Sequence, residues 1–257
     1  MTTDTTNAIA ASGLTVRFGN FTAVGGVDLG IAAGSRHALI GPNGAGKTTL
    51  VHALTGGLRP TAGSVHLGGR DVTRLREAGR VRLGLARTYQ INQLFRGLSV
   101  LDNVMLAIFE RDRKTFAFWR RASRDSAVIE EARGHLAFVN LADHAERIVA
   151  TLPYGLQRLL EIAVALATKP KVLVLDEPAA GVPAAQSEAI FERIHALPRE
   201  LTLVFVEHDM NLVFRFAERI TVLVAGRVLT EGTPAEISAD ERVREVYLGR
   251  RGHHAAA

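Results

Sequence analysis

The alternation of apolar and polar positions over Leu14–Phe18 predicts a half-buried strand. Val27–Ile31 repeats the period, and His37–Ile40, Gly63–Leu67 and Gly84–Thr88 predict further short strands. From Leu94 to about Ala167 the period changes to a helical one, with apolar positions at Val128, Ala132, Leu136 and Val139. Strand character returns at Val172–Leu175 and Leu203–Val206, unbroken apolar runs of the kind a parallel sheet buries on both faces. Helices are predicted over Lys47–Thr55, Ala184–Ala196 and Asn211–Ala217. Ile220–Val224 and Val228–Thr230 read as a hairpin around Ala225-Gly226. This order predicts an α/β fold, a mainly parallel sheet with a helical subdomain inserted in its middle. No internal repeat is present, so the chain carries one copy of the module.

Composition narrows the picture little. A chain of 257 residues with 47% hydrophobic and 22% charged residues can bury a sizeable core and is not disordered. With no cysteine, disulfides, zinc-thiolate sites and thiol nucleophiles are excluded, which fits a reducing compartment. Met1–Ser12 lacks the basic-then-apolar layout of a secretory signal, and no apolar run reaches the ~20 residues of a spanning helix. Work at a membrane therefore requires a partner. The net charge of +5 is mild. Of 31 basic residues only Lys47, Lys114, Lys169 and Lys171 are lysine, so a lysine inside a motif carries more information than an arginine would.

Such a motif follows the strand at His37–Ile40. Gly41-Pro42-Asn43-Gly44-Ala45-Gly46-Lys47-Thr48 matches G-x-x-x-x-G-K-[ST] at every fixed position, and Thr49 continues it into the helix. Backbone N–H groups of such a loop surround phosphate oxygens, and the helix adds its positive end. Lys47 is placed to contact β- and γ-phosphates, and the Thr48 hydroxyl to hold Mg²⁺. The buried run Val172–Leu175 ends in Asp176 and Glu177, at the strand end where open α/β sheets hold ligands. Asp176 suits Mg²⁺, and Glu177 suits proton acceptance from a water. Leu203–Val206 likewise ends in Glu207, His208 and Asp209. A strand-end histidine by itself is most simply structural.

Taken together, these residues resemble the ATP-binding subunit of ABC transporters, over roughly Leu14 to Arg250. The resemblance implies an ABC-type P-loop fold with an antiparallel N-terminal β part. It implies a single domain over 11–250, with a core at about 11–90 and 168–250 and a helical subdomain at about 91–167. Residues 1–10 and 251–257 are expected as flexible tails. It also assigns roles. Gln90, in Thr88-Tyr89-Gln90, senses Mg²⁺ and the attacking water; His208 contacts the γ-phosphate; Phe18, in Arg17-Phe18-Gly19, stacks on adenine unless it is simply a core or edge residue. Leu152-Pro153-Tyr154-Gly155-Leu156-Gln157-Arg158 occupies the signature position, where Tyr154 and Gly155 face the ATP held by a second, head-to-tail ATPase subunit. ATP and Mg²⁺ are the implied cofactors and ATP hydrolysis the implied reaction. Permease subunits, met by Leu94–Ala107, and indirectly a substrate-binding protein are the implied partners. The implied location is peripheral, on the cytoplasmic face of a bacterial inner membrane, with no nucleic-acid role.

Leu94–Val100, Asp176–Gly181, Glu207–Met210, Glu231–Pro234 and Val246–Gly249 are similar to the branched-chain amino acid importer branch. Three positions depart from the pattern: Pro153 replaces the signature serine, Leu156 a polar residue, and Pro183 an acid or amide. They leave open a degenerate, regulatory nucleotide-binding half, and an asymmetric heterodimer. A soluble ABC ATPase is the other alternative, though the chain has neither a second cassette nor a long coiled-coil insertion. The basic run Arg111, Arg113, Lys114, Arg120, Arg121 and Arg124, interleaved with Phe116, Phe118 and Trp119, reads either as a solvated face or as a contact with headgroups or the permease.

Overall fold

The structure, a computed structural model, describes residues 7–88, 94–113 and 125–248. Two compact units are formed, one by the chain up to Leu83 together with that from Arg199 onward, the other by Gly84–Pro198. The second unit is wider than the helical segment expected at 91–167, because it takes in flanking strands.

The first unit begins with β1 (Asn7–Phe18) and β2 (Phe21–Ala32), an antiparallel pair joined by Gly19-Asn20. Gly19 adopts φ 59, which the tight turn between Phe18 and Phe21 requires. The N-terminal tail is shorter than expected. Asn7–Ala10 belong to β1, where Ile9 is buried and faces both Ile31 and Leu67. Next come β3 (Arg36–Ile40), helix α1 (Lys47–Thr55), β4 (Ala62–Leu67), β5 (Arg70–Asp71) and α2 (Glu77–Val81). β4 pairs antiparallel with β1 and with β5, giving the order β2-β1-β4-β5.

In the second unit β6 (Leu85–Arg87) runs parallel to β7 (Val172–Asp176). Between them lie α3 (Val100–Arg111), α4 (Ser126–Phe138) and α5 (Tyr154–Ala167), which pack on one another. Ser99 and Asp125 cap α3 and α4 by accepting the N–H of Asp102 and Val128. Val128, Ala132, Leu136 and Val139 are buried, as their spacing requires. α6 (Ala184–His195) follows β7. Arg111 is no solvated cation: its guanidinium grips Glu131 at 2.5 and 3.1 Å and donates to Ala167 O, holding the Glu131 carboxyl down at about 2. Arg113 is exposed, and the remainder of the basic run, Lys114–Arg124, lies outside the described residues.

The chain then returns to the first unit with β8 (Thr202–Val206), α7 (Met210–Phe216), β9 (Arg219–Val224), β10 (Arg227–Gly232), α8 (Pro234–Ala239) and α9 (Glu241–Leu248). β3 is flanked in parallel by β8, with Leu39 opposite Val206, and by β9, with Ile40 opposite Val222. β10 folds back antiparallel on β9 through Ala225-Gly226, both with positive φ. All five residues of β3, β7 and β8 are buried, which explains the continuous apolar runs of β7 and β8 and places Arg36 and His37 of β3 in the interior.

His37 pays for its place in β3. It is 2% exposed, lies 2.7 Å from Thr221 Oγ1 through Nε2, and is pushed down to about 4 by burial, against the pull of Glu231. The unfolded chain takes up a proton below about pH 6.5, whereas the folded chain waits until about 4. Stability is therefore intact above pH 6.5 and falls as pH drops through that window, by ~3 kcal/mol over the full span. His37→Gln should flatten this loss, read as the change in urea midpoint between pH 7 and 4.5.

Candidate nucleotide site

Gly41–Gly46 leaves the C-terminal end of β3 and turns directly into α1. The turn is held from behind. Gly226 N–H donates to Ala45 O at 2.9 Å, and a Cβ on Gly46 (φ 96) would stand 2.5 Å from Ala23 O. Gly44 differs: its φ of 79 demands glycine, while a Cβ there would meet nothing within 4 Å. The loop is thus backed by protein at one glycine and open at another. The Lys47 ammonium reaches across it to Gly41 O at 2.7 Å and Pro42 O at 3.1 Å, and Lys47 is buried. Asn43 and Thr48 are exposed, Pro42 and Thr49 half-buried. Gly46 gives α1 no side-chain cap, and the first turn carries no acidic residue. The positive end of the helix favours an anion there.

β8 sits beside β3 in register, so Glu207 and His208 emerge level with Ile40 and Gly41. His208 is exposed, and its backbone N–H donates to Glu207 Oε2 at 3.2 Å. Phosphate loop and histidine thus share one sheet edge, as the two strand-end motifs predict. Phe18, at the tip of the β1–β2 hairpin, is 53% exposed and no core residue; Phe21 opposite it is 66% exposed. Sequence reasoning missed Tyr247. Burial pushes its phenol up to about 12, although the Gly41 N–H, donating to the phenolic oxygen, pulls the other way. A half-buried tyrosine from α9 therefore touches the first glycine of the loop.

The second unit holds the acids. Asp176 ends β7 in a fully buried position and Glu177, half-buried, follows with φ 50. A left-handed glutamate is strained by ~1 kcal/mol or more, and such strain gathers where a side chain must be aimed. The partner of Asp176 was not foreseen: Arg87, at the end of β6, donates through Nη2 to Oδ2 at 2.6 Å, with the two side chains 2% and 3% exposed. Gln90 lies outside the described residues. At the signature, Pro153 precedes α5 and supplies no side-chain cap. A Cβ on Gly155 would lie 2.8 Å from Gln186 Oε1, the tip of a flexible side chain on α6 that can move aside. Tyr154 is 41% exposed, with the Arg158 guanidinium 5.0 Å from its ring centroid.

In the first unit the Thr48 hydroxyl and the positive end of α1 suit a polyphosphate, and in the second the Asp176 carboxylate suits Mg²⁺. Among the described residues no cluster of three or more His or acidic side chains could hold a metal ion.

The pattern of the ABC transporter family matches residues 24–180. The chain belongs to that family. A second pattern, that of the branched-chain amino acid ATP-binding cassette transporter, matches residues 227–253. The chain is 39% identical over 251 residues to the high-affinity branched-chain amino acid transport ATP-binding protein BraF of Pseudomonas aeruginosa, covering 94% of this chain and 97% of that one. It is 38% identical to the LivG protein of the same description from Escherichia coli K12, over the same shares. The ADP conformation of an ATP-binding cassette of an ABC transporter superposes with a TM-score of 0.84 at 29% identity, covering 95% of this chain and 99% of that one. The expected ABC-type α/β fold is therefore correct, and this ABC protein is an ATPase subunit whose hydrolysis is coupled to transport.

Proposed function

We propose that this ABC ATPase is the motor of an importer for branched-chain amino acids or related small polar solutes. The observation that carries the reading is the phosphate loop, pinned from behind and open in front, in a chain alike end to end to BraF and LivG. Its place is the cytoplasmic face of a bacterial inner membrane, held there by permease subunits. Among the described residues no helix is long and apolar enough to cross a membrane. Within the expected contact Leu94–Ala107, the exposed loop Phe95–Gly97 faces the permease, Phe95 being 61% exposed, whereas Val100, Leu101, Val104 and Met105 are buried in the helical packing. Asn103 latches that loop by accepting Phe95 N–H at 2.8 Å and donating to Phe95 O at 3.1 Å.

In this reading the N–H groups at the start of α1 and the Lys47 ammonium bind the phosphates, and Phe18 stacks on the adenine. Thr48, Asp176 and Gln90 hold Mg²⁺, which when bound neutralises charge on the β- and γ-phosphates. Glu177 takes a proton from the water whose oxygen bonds the γ-phosphorus, as the bond to the ADP oxygen breaks. His208 steadies the γ-phosphate. A second ATPase subunit completes each site with its signature. Pro153 offers neither hydroxyl nor N–H there, so the site served by this chain's signature is the slower one in a heterodimer.

The test is copurification of the tagged chain with a permease subunit, followed by Mg²⁺-dependent ATP turnover and solute uptake in proteoliposomes. Coupled turnover is expected. A chain that hydrolyses ATP at full rate alone and recovers no membrane subunit would be a soluble ABC ATPase. Equal turnover at the two sites would remove the asymmetry.

A further inference from the structure

The Arg87–Asp176 pair is not needed to build the parallel strands, which their backbone bonds already join. Arg87 lies opposite Val174 in the β6–β7 register, and Asp176 is two residues further along the same face of β7. The guanidinium therefore reaches diagonally along the sheet to a carboxylate at the very end of the strand. Both charges are buried, and the bond is short at 2.6 Å. An ion pair in that setting is strong because little water screens it. It also satisfies a carboxylate that would otherwise be expensive to hold there.

We propose that Arg87 is an internal counter-ion which a divalent cation must displace from Asp176, so that this arginine sets the Mg²⁺ concentration at which the site loads. This rests on the reading of Asp176 as a metal ligand. A dication and a guanidinium repel each other across one carboxylate, and each weakens the other's hold. Metal binding then costs the release of Arg87 from Asp176. Arg87 is a positioning residue: it acts on the metal through Asp176. The rival role is a fixed orienting strut, which would raise metal affinity instead, since loss of such an outer partner weakens binding ~10–100-fold. The two roles predict shifts of opposite sign.

The decisive measurement is Mn²⁺ titration of the assembled complex, with a non-hydrolysable ATP analogue bound, followed by electron paramagnetic resonance. Arg87→Gln should load at a Mn²⁺ concentration roughly tenfold lower than the wild type. Arg87→Lys, whose single ammonium is a poorer match for the carboxylate, should shift loading in the same direction by less. If Arg87→Gln does not fold, the sign of the Arg87→Lys shift decides. Unchanged or weakened Mn²⁺ loading in the folded variants overturns the proposal. Asp176→Asn separates the two levels of the argument. If it leaves Mn²⁺ loading intact, the assignment of Asp176 to the metal fails; if it weakens loading while the arginine variants do not tighten it, only the counter-ion role fails. Thermal unfolding gives a second readout: the Arg87→Gln deficit seen without metal should shrink when Mn²⁺ and nucleotide are added.

Discussion

Glu177→Gln lowers ATP turnover of the reconstituted transporter by ~10²–10⁴-fold and leaves nucleotide binding in place. The amide keeps the shape of the carboxylate and removes its ability to accept a proton. The groups expected to hold phosphate, Lys47 and the start of α1, belong to the other unit of the chain and are untouched. Glu177 also sits where a glutamate is least comfortable, with φ 50 immediately after the buried end of β7. That backbone costs something the fold must offset, and glutamine inherits the same cost, so stability should barely change. Turnover should be followed by phosphate release and binding by equilibrium dialysis of ATP. Unchanged turnover would take the proton acceptor away from Glu177 and place hydrolysis in the partner subunit's site.

The largest stability effect is expected at a residue remote from the acids. Arg80 is 0% exposed, and its guanidinium donates to Leu54 O at 2.6 Å, Ala53 O at 2.9 Å, Leu75 O at 3.1 Å and Thr73 O at 3.3 Å. Two of these carbonyls lie at the end of α1, where a helix has no internal donors left. A cation at that end also complements the helix dipole. Burial lowers the Arg80 pKa to about 10, so the group remains charged at neutral pH. Arg80→Ala strands several buried carbonyls at ~1–3 kcal/mol each and opens a cavity, which puts the loss at ~3–5 kcal/mol. At ~2–4 °C per kcal/mol for a chain of this size, the thermal midpoint should fall by about 10 °C. Arg80→Lys should recover little, because one ammonium cannot span the four oxygens. A loss below ~1 kcal/mol in urea unfolding would show that water replaces the guanidinium.

The contrast between Arg80 and Lys47 explains what could be read in advance. Lys47 stands in a contiguous motif, preceded by a buried strand and followed by a helix, and every part of that context is local. β7 and β8 were equally legible, because burial on both faces leaves an unbroken apolar run. Arg80 and Arg87 are single arginines in an arginine-rich chain, and their partners come from other elements. Local pattern carries no record of such pairing; Arg87 and Asp176, 89 positions apart, are brought together by the sheet. Short elements escaped for a different reason. β5 has two residues, and α2 interrupts its five with Gly79, so neither completes a period. The start of β1 was hidden by small, weakly hydrophobic residues whose burial depends on β2 and β4. α8 went unread although Thr233 and Glu236 form a reciprocal cap around Pro234, because no periodic apolar stripe accompanies that signal.

The supports of the phosphate loop have a consequence for biosynthesis. β3 and the loop leave the ribosome early, yet the strands on either side of β3 and the Gly226 N–H that pins Ala45 O all come from the chain after Arg199. The whole of Gly84–Pro198 is translated in between. A ligand stabilises only the state that binds it. ATP, abundant throughout translation, therefore has nothing to hold in a nascent or prematurely terminated chain. It begins to protect the protein only once β8, β9 and the turn at Gly226 have closed around the loop. Nucleotide can thus stabilise completed chains and not fragments that end before Arg199.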